Sequence, residues 1–403
     1  MLRLPKAYGL GPVALLFRLA GDAWIGLHPR RAVPQTRMRV LLVRLDNIGD
    51  FLLWRDTARG WREAFPPDKY ALTLLCSEAC APLAEEGSAF EQVWPLDKER
   101  FLRDARYRRA QMTALREAGF DTVVQARPRR DLLVEDAITR VTGARERIGF
   151  ARLPADGARA YRLLGERQYT RLAPPGEANA PEMERSASLV RFAGGHGYAS
   201  RTPRLTPSVP LPAGLAGRDY FVLFPGADWA GRRWPPERFA EIARRLAEQT
   251  GWAGMVCGGP GDRALAETIN AESGIRVEDW TGRTTLPELA AVMGGARLVV
   301  SNETAGAHMA ACVGTPCVCI LGGGHFGRFL PYPTPPLAGR PLPLSVCHPM
   351  PCFGCDWNCI YPVPEGEPTP CITGISVQAV WEYVQKTLTG VCRDEAMPFP
   401  TSR

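Results

Sequence analysis

The sequence has no run of apolar residues long enough to cross a bilayer, so a helical membrane span is not expected. The nearest approach, Leu10 to Leu27, is interrupted by Arg18 and Asp22, and no small-residue cleavage site follows it. Lysines and arginines do not gather into one dense run and the formal net charge is only +7, which speaks against nucleic acid as a partner. There is no P-loop, no zinc-protease helix motif and no internal repeat beyond a two-fold succession of α/β halves. Without a secretion signal, the 12 cysteines do not read as a disulfide framework. The expected location is the cytoplasm, with peripheral contact to the inner membrane as the one extension of that reading.

What is present is a chain of 403 residues, too long for one comfortable core, with 45% hydrophobic and 23% charged residues. The 37 prolines and 40 glycines indicate many loops. Residues Leu10 to Leu27, with Lys6, Arg18, Arg30 and Arg31 beside apolar positions, can form a helix packed on the protein or one lying on a membrane surface. The packed helix is the preferred expectation.

Arg39 to Arg44 reads as a buried parallel strand, followed by a turn at Asn47 to Asp50 and a helix to about Ala64. Strands are expected at Tyr70 to Leu75, Gln92 to Trp94 and Phe120 to Gln125, with helices between them. After an interdomain linker at Thr202 to Gly217, alternation restarts with strands Tyr220 to Phe224, Gly254 to Cys257, Leu298 to Val300 and Pro316 to Leu321. Helices are expected at Pro235 to Gln249, Asp262 to Glu272, Leu286 to Met293 and Thr304 to Val313. This alternation is that of an α/β chain with doubly wound sheets.

Three loops carry candidate chemistry. Ser301-Asn302-Glu303-Thr304 ends a strand, and Ala305-Gly306-Ala307-His308 opens a helix whose small residues and positive dipole end suit phosphates. The competing reading is a helix start capped by Ser301 or Thr304. In Leu45-Asp46-Asn47-Ile48-Gly49-Asp50, Gly49 permits a tight turn and Asp50 is a general-base candidate, or else an ordinary first-turn acid. Phe224 to Pro235 holds Gly226 and the adjacent Arg232 and Arg233, whose guanidinium forks suit a diphosphate. Gly322-Gly323-Gly324-His325-Phe326-Gly327 matches the spacing of a dinucleotide fingerprint, but no helix follows, so a flexible loop is expected there.

In this order, the motifs resemble those of family 9 glycosyltransferases, the group that includes ADP-heptose:lipopolysaccharide heptosyltransferases. Arg44 through Gly49-Asp50, Pro225 to Pro235 and Ser301 to His308 carry the resemblance, which runs from about Arg39 to Val380. It implies a GT-B fold, two Rossmann-like doubly wound domains facing a cleft, and sugar transfer with inversion. The implied organisation is an N-terminal extension (1–37), an acceptor-binding domain (38–205), a nucleotide-sugar-binding domain (218–375) and a C-terminal helix and tail (376–403). By position, Asp50 is implied as the base. Arg232, Asp262, Glu303, Thr304, Ala305, Gly306 and His308 are implied as donor-binding. Glu303, Ala305 and Arg232 replace the family's usual Asp, Gly and Lys, which leaves the donor sugar open.

The expected function is transfer of a sugar, heptose from ADP-heptose, to a lipopolysaccharide core or related surface glycan. A protein acceptor, or a non-catalytic nucleotide-sugar-binding protein, is the alternative. Arg127, Arg129 and Arg130 follow a predicted strand end and suit an acidic glycolipid or glycan acceptor. Cys352 and Cys355 stand at metal-ligand spacing, with Cys371 and either Cys347 or Cys359 available to complete four thiolates. The resemblance to autotransporter-modifying heptosyltransferases implies a structural iron at this cluster (347–371). Zinc is equally compatible with thiolates, and no cofactor is expected in catalysis.

Overall fold

The protein is described by a computed structural model covering residues 12–27, 36–87, 89–153, 159–177, 180–335 and 340–390. Lys6, Arg30, Arg31 and the tail beyond residue 390 lie outside the described residues. The chain divides into two compact units. One contains the residues up to Phe51, Thr57–Ala178 and Glu184–Ala199; the other contains Ser200 onward with Leu52–Asp56 and Asn179–Met183.

The first unit is built on six parallel strands: β1 (Met38–Arg44), β2 (Tyr70–Ser77), β3 (Gln92–Leu96), β4 (Thr122–Gln125), β5 (Glu146–Phe150) and β6 (Arg171–Ala173), in the order β3-β2-β1-β4-β5-β6. The second repeats the plan with β7 (Tyr220–Phe224), β8 (Ala253–Val256), β9 (Val277–Asp279), β10 (Leu298–Asn302), β11 (Cys317–Ile320) and β12 (Leu344–Val346), ordered β12-β11-β10-β7-β8-β9. The central strands carry apolar runs because helices cover both faces: Val40 to Val43 and Tyr220 to Leu223 are fully buried. In register, Val40 lies between Leu72 and Thr122, and Val222 between Met255 and Val299.

In each sheet the strand order reverses beside the first strand, between β1 and β4 and between β7 and β10. Such switch points open a crevice at the carboxyl ends of the strands, and the three singled-out loops follow β1, β7 and β10. The core of the first unit gathers Leu41, Val43, Leu75, Phe101, Phe120 and Ile138; that of the second gathers Phe221, Trp234, Phe239, Val300, Ile320 and Val380.

Helix Pro236–Thr250 shows how local sequence sets the bounds. Prolines occupy its start, where first-turn N–H groups have no intrahelical partner, and Gly251 closes it at φ 71°. The N-terminal helix, Pro12–Leu27, packs on the first unit: Ile25 enters its core and Asp22 pairs with Arg108. No helix among the described residues is long and apolar enough to cross a membrane.

Candidate functional site

The loop after β7 is held by buried polar contacts. Asn302, at the end of β10, donates to the Pro225 carbonyl at 2.6 Å, and its Oδ1 accepts the Trp234 backbone N–H at 3.2 Å. Trp234 is fully buried, its indole N–H bonded to the Ile375 carbonyl at 2.9 Å. Anchored this way, the loop turns through Ala230–Arg232 and aims Arg232 at Glu303, with Nη2 3.0 Å from Oε2. The same nitrogen also donates to the Glu303 carbonyl. Arg233 turns back onto the Ala227 carbonyl instead, at 2.7 and 2.9 Å. Of the two adjacent arginines, only Arg232 faces the candidate phosphate site.

Glu303 is buried. Burial pushes its carboxyl above the ordinary range, while the Arg232 and Arg328 guanidiniums pull against that shift. His308, one helical turn along, is also buried. Its pKa is lowered to about 3 by burial and by the charge of Arg232, so the imidazole is neutral at ordinary pH. Its Nδ1 lies 2.8 Å from the Tyr332 hydroxyl.

The start of helix Ala305–Val313 is uncapped. Thr304 occupies the N-cap position without a side-chain bond to the helix, and the Ser301 hydroxyl donates to the Asn302 carbonyl. The capping alternative is therefore not what these residues do. First-turn N–H groups without capping partners, at the positive end of a nine-residue helix, are suited to an anion. Thr304 and Ala305 are partly exposed there, whereas Gly306 and Ala307 are buried. Gly306 has a different reason to be glycine than close phosphate approach: a Cβ would sit 2.5 Å from the Phe224 ring. Packing of the helix on β7 sets that position.

Asp262 closes the short turn Pro260–Asp262, accepting the Gly259 N–H at 2.8 Å. Its carboxylate lies against Gly226 and Gly258, where any Cβ would meet it within 2.5 Å, and burial raises its pKa. The Gly226 loop and the turn after β8 thus meet at one carboxylate.

Sequence reasoning missed a second layer around Arg232. Segment 350–359 packs on the three-glycine run: Gly354 and Asp356 donate backbone N–H groups to the Gly323 and Gly324 carbonyls at 2.8 and 2.9 Å. A Cβ at Gly323 would lie 2.2 Å from the Phe353 ring, and one at Gly324 2.3 Å from the Trp357 ring. The run is therefore a docking surface for aromatic rings rather than a flexible loop, which corrects the expectation. Trp357 lies 5.4 Å from the Arg232 guanidinium carbon and edge-on to Trp229 and His325 at 5.8 Å. His325 Nε2 meets Asp356 Oδ1 at 2.9 Å. Three consecutive glycines not followed by a helix were the one available signal.

Four of the five clustered cysteines, Cys352, Cys355, Cys359 and Cys371, line one small space together with Thr369 and Trp357. Cys347 does not line it. Among the described residues, no three His, Cys, Asp or Glu side chains converge closely enough to hold a metal ion.

In the first unit, Asp50 sits half-buried in the first turn of helix Ile48–Trp54, directly after β1. Buried Arg44 braces this turn: it pairs with Asp46 and donates to the Ala126 carbonyl at 2.6 Å and the Asp50 carbonyl at 3.5 Å. Arg127 bridges Asp46 and Glu135, the latter at 2.7 Å, and Lys98 reaches Glu135 at 3.2 Å. Burial opposes ionisation of Glu135, but the Arg127 and Lys98 charges hold its carboxyl below the usual range. Arg129 is half-buried. Arg130 is buried against Asp136 at 2.7 Å, with its guanidinium carbon 4.5 Å from the Tyr169 ring centre, so it serves the packing of this unit.

Two all-parallel sheets of the same reversing order, covered by helices, form an α/β fold of the GT-B class. The chain belongs to glycosyltransferase family 9 (heptosyltransferase), whose profile matches residues 108–338. Lipopolysaccharide heptosyltransferase 1 of Pseudomonas aeruginosa is 27% identical over 300 residues, covering 71% of this chain and 79% of that protein. Among solved structures, E. coli ADP-heptose lps heptosyltransferase II matches with a TM-score of 0.64 at 17% identity, covering 88% of this chain and 99% of that one. E. coli heptosyltransferase WaaC with ADP matches with a TM-score of 0.62 at 20% identity, covering 87% and 100%.

Proposed function

We propose that this enzyme transfers heptose from ADP-heptose to a lipopolysaccharide-type acceptor with inversion at the anomeric carbon. The observation that carries the reading is the uncapped start of helix Ala305–Val313 beside the Arg232–Glu303 pair. Backbone N–H groups of Thr304 to Gly306 and the Arg232 guanidinium hold the donor diphosphate, neutralising the charge that grows on it as it leaves. Asp262, at the meeting of the Gly226 and Gly258 loops, takes the ribose hydroxyls. Glu303 and neutral His308 bound the sugar side, with Glu303 fixed by Arg232 rather than mobile.

Asp50 is the general base. It removes the acceptor hydroxyl proton as that oxygen forms its bond to the anomeric carbon and the bond to the diphosphate oxygen breaks, leaving ADP. Arg44 holds the Asp50 backbone and positions it without sharing in the proton transfer. Arg127 and Arg129 stand near the acceptor's acidic groups, with Arg127 also paired to Asp46 and Glu135. The names of the relatives, and the family itself, support heptose, ADP and lipopolysaccharide as the substrate classes.

Asp50→Asn is expected to lower turnover by roughly 10²- to 10⁴-fold while ADP affinity, measured by calorimetry, stays unchanged. Unchanged turnover in the folded variant overturns the base assignment.

The four thiols that line one space are soft donors of the kind iron or zinc takes, and a metal ion held by Cys352, Cys355, Cys359 and Cys371 requires them to draw closer together than they stand here. Such an ion serves order in this segment and takes no part in transfer. Elemental analysis of the purified protein tests it, and a metal content far below one ion per chain counts against it.

A further inference from the structure

The N-terminal helix Pro12–Leu27 and helix Ala105–Glu117 border a half-open cavity of about 600 Å³, lined by none of the residues assigned above to transfer. Three arginines, Arg18, Arg108 and Arg109, line it against a single carboxylate, Asp22. Arg108 binds Asp22 with two bonds, at 3.0 and 2.5 Å, and Arg18 donates to the Arg103 carbonyl at 3.1 Å. Each of these two guanidiniums still has a buried Nη1 with no hydrogen-bond partner among the described residues. For Arg108, only 3% exposed and stacked 4.4 Å from the Phe101 ring centre, an unanswered charged donor is costly and calls for an acceptor that the described residues do not supply. Burial and the neighbouring Arg108 charge both lower the Arg18 pKa, the direction a bound anion would reverse.

The remainder of the cavity is apolar, formed by Trp24 and Ile25 on one side and Ala105 on the other. Along the same helix, Trp24 is 61% and Leu27 79% exposed, large apolar side chains left in solvent at its end. The adjoining stretch from Lys98 to Arg109 carries six basic residues against two acidic ones. A basic face, a cationic cavity with apolar walls, and a protruding tryptophan together match an anionic amphiphile at a membrane surface.

We propose that this cavity binds the phosphate headgroup of an anionic membrane lipid, with Trp24 and Leu27 seated in the bilayer interface. The lipid phosphate answers the open donors of Arg18 and Arg108, Arg109 adds attraction at the rim, and the acyl chains remain in the membrane. The contact is peripheral and reversible, and it weakens with salt because the rim charges are exposed.

The test is co-sedimentation of the full chain with vesicles of phosphatidylcholine alone or containing phosphatidylglycerol, at low and high salt. Wild-type protein is expected to pellet with the anionic vesicles only. Arg18→Gln with Arg109→Gln, and separately Trp24→Ser with Leu27→Ser, are each expected to weaken partitioning on the order of tenfold or more. These changes spare the buried Asp22–Arg108 pair, and melting curves confirm folding. ADP affinity, which reports the other unit, is expected to be unchanged in all of them. Equal partitioning of wild type onto both kinds of vesicle, or undiminished partitioning of both variants, overturns the proposal. So does inorganic phosphate that binds wild type at micromolar concentration and abolishes vesicle binding at constant ionic strength, since that marks a soluble-anion site.

Discussion

Replacing Arg232 by methionine isolates the electrostatic problem at the centre of the donor site. The substitution keeps the aliphatic stem and removes the only cation bonded to Glu303 among the described residues, at 3.0 Å. Breaking a buried ion pair by removing one partner typically costs about 3–5 kcal/mol, because the surviving charge stays buried. The Arg232 side chain keeps 20% of its exposure while Glu303 has 4%, so the lower end, about 3 kcal/mol, is expected at neutral pH.

The loss depends on pH, and its sign is fixed by Glu303. Its folded-state pKa already lies above the ordinary value because burial outweighs the arginines. A carboxyl raised in the folded state binds more protons folded than unfolded, so stability falls as pH rises from the unfolded pKa to the folded one. Removing Arg232 raises the folded pKa further and extends that window upward. The variant's deficit is therefore small below the wild-type folded pKa, grows by about 1.4 kcal/mol for each pH unit between the wild-type and the variant folded pKa, and then levels off. Urea unfolding followed by tryptophan fluorescence at several pH values measures it. Adding Glu303→Gln to the Arg232 variant should flatten the pH dependence. A deficit that is constant from pH 4.5 to 8, or smaller than about 0.5 kcal/mol, would refute the argument by showing that water reaches Glu303 and screens it.

Two further substitutions separate packing from binding. Gly306→Ala places a Cβ 2.5 Å from the Phe224 ring, so overpacking of about 1–3 kcal/mol is only partly offset by the better helix propensity of alanine; thermal unfolding should show a net loss, and a neutral result would mean that the ring yields. Arg130→Met leaves Asp136 with only Arg152 at 2.6 Å and the Tyr169 hydroxyl at 2.8 Å, so a stability loss of about 3 kcal/mol with an unchanged acceptor KM is expected. A raised KM in a stable variant would return Arg130 to the acceptor site.

The central strands and the loops after them were legible because their physics is local. A strand buried on both faces needs an unbroken apolar run, and Arg39 to Arg44 and Tyr220 to Phe224 supply one. Three of the four edge strands were not: Arg171–Ala173, Val277–Asp279 and Leu344–Val346 span three residues each, too few to display a period, whereas the longer Gln92–Leu96 was expected. Inner strand β5 was missed for a related reason, since Glu146 and Arg147 open it and Gly149 interrupts it. Helix Glu135–Thr142 escaped because it buries Glu135 and Asp136, whose partners Arg127, Arg130 and Arg152 are distant enough in sequence to leave no pattern. The same limit governs the candidate site. Arg232 and Glu303 were visible through their loops, but their pairing, the bracing of Asp50 by Arg44 and the approach of Trp357 to Arg232 are tertiary contacts. The surroundings of Arg130 were hidden for the same reason: its strand-end position suggested an open face, whereas its guanidinium pairs with the buried Asp136 carboxylate.

The seating of Phe353 and Trp357 on Gly322 to Gly324 ties two stretches of sequence to a shared fate. A chain of this fold that retains both rings cannot tolerate a side chain anywhere in the three-glycine run, and a chain that loses the rings has no need of the glycines. The cysteine-rich segment and the loop after β11 should therefore be gained, lost or transplanted together. Grafting the whole cysteine-rich segment onto a relative without the glycines would bring the rings into collision with its side chains instead of placing an indole beside the arginine.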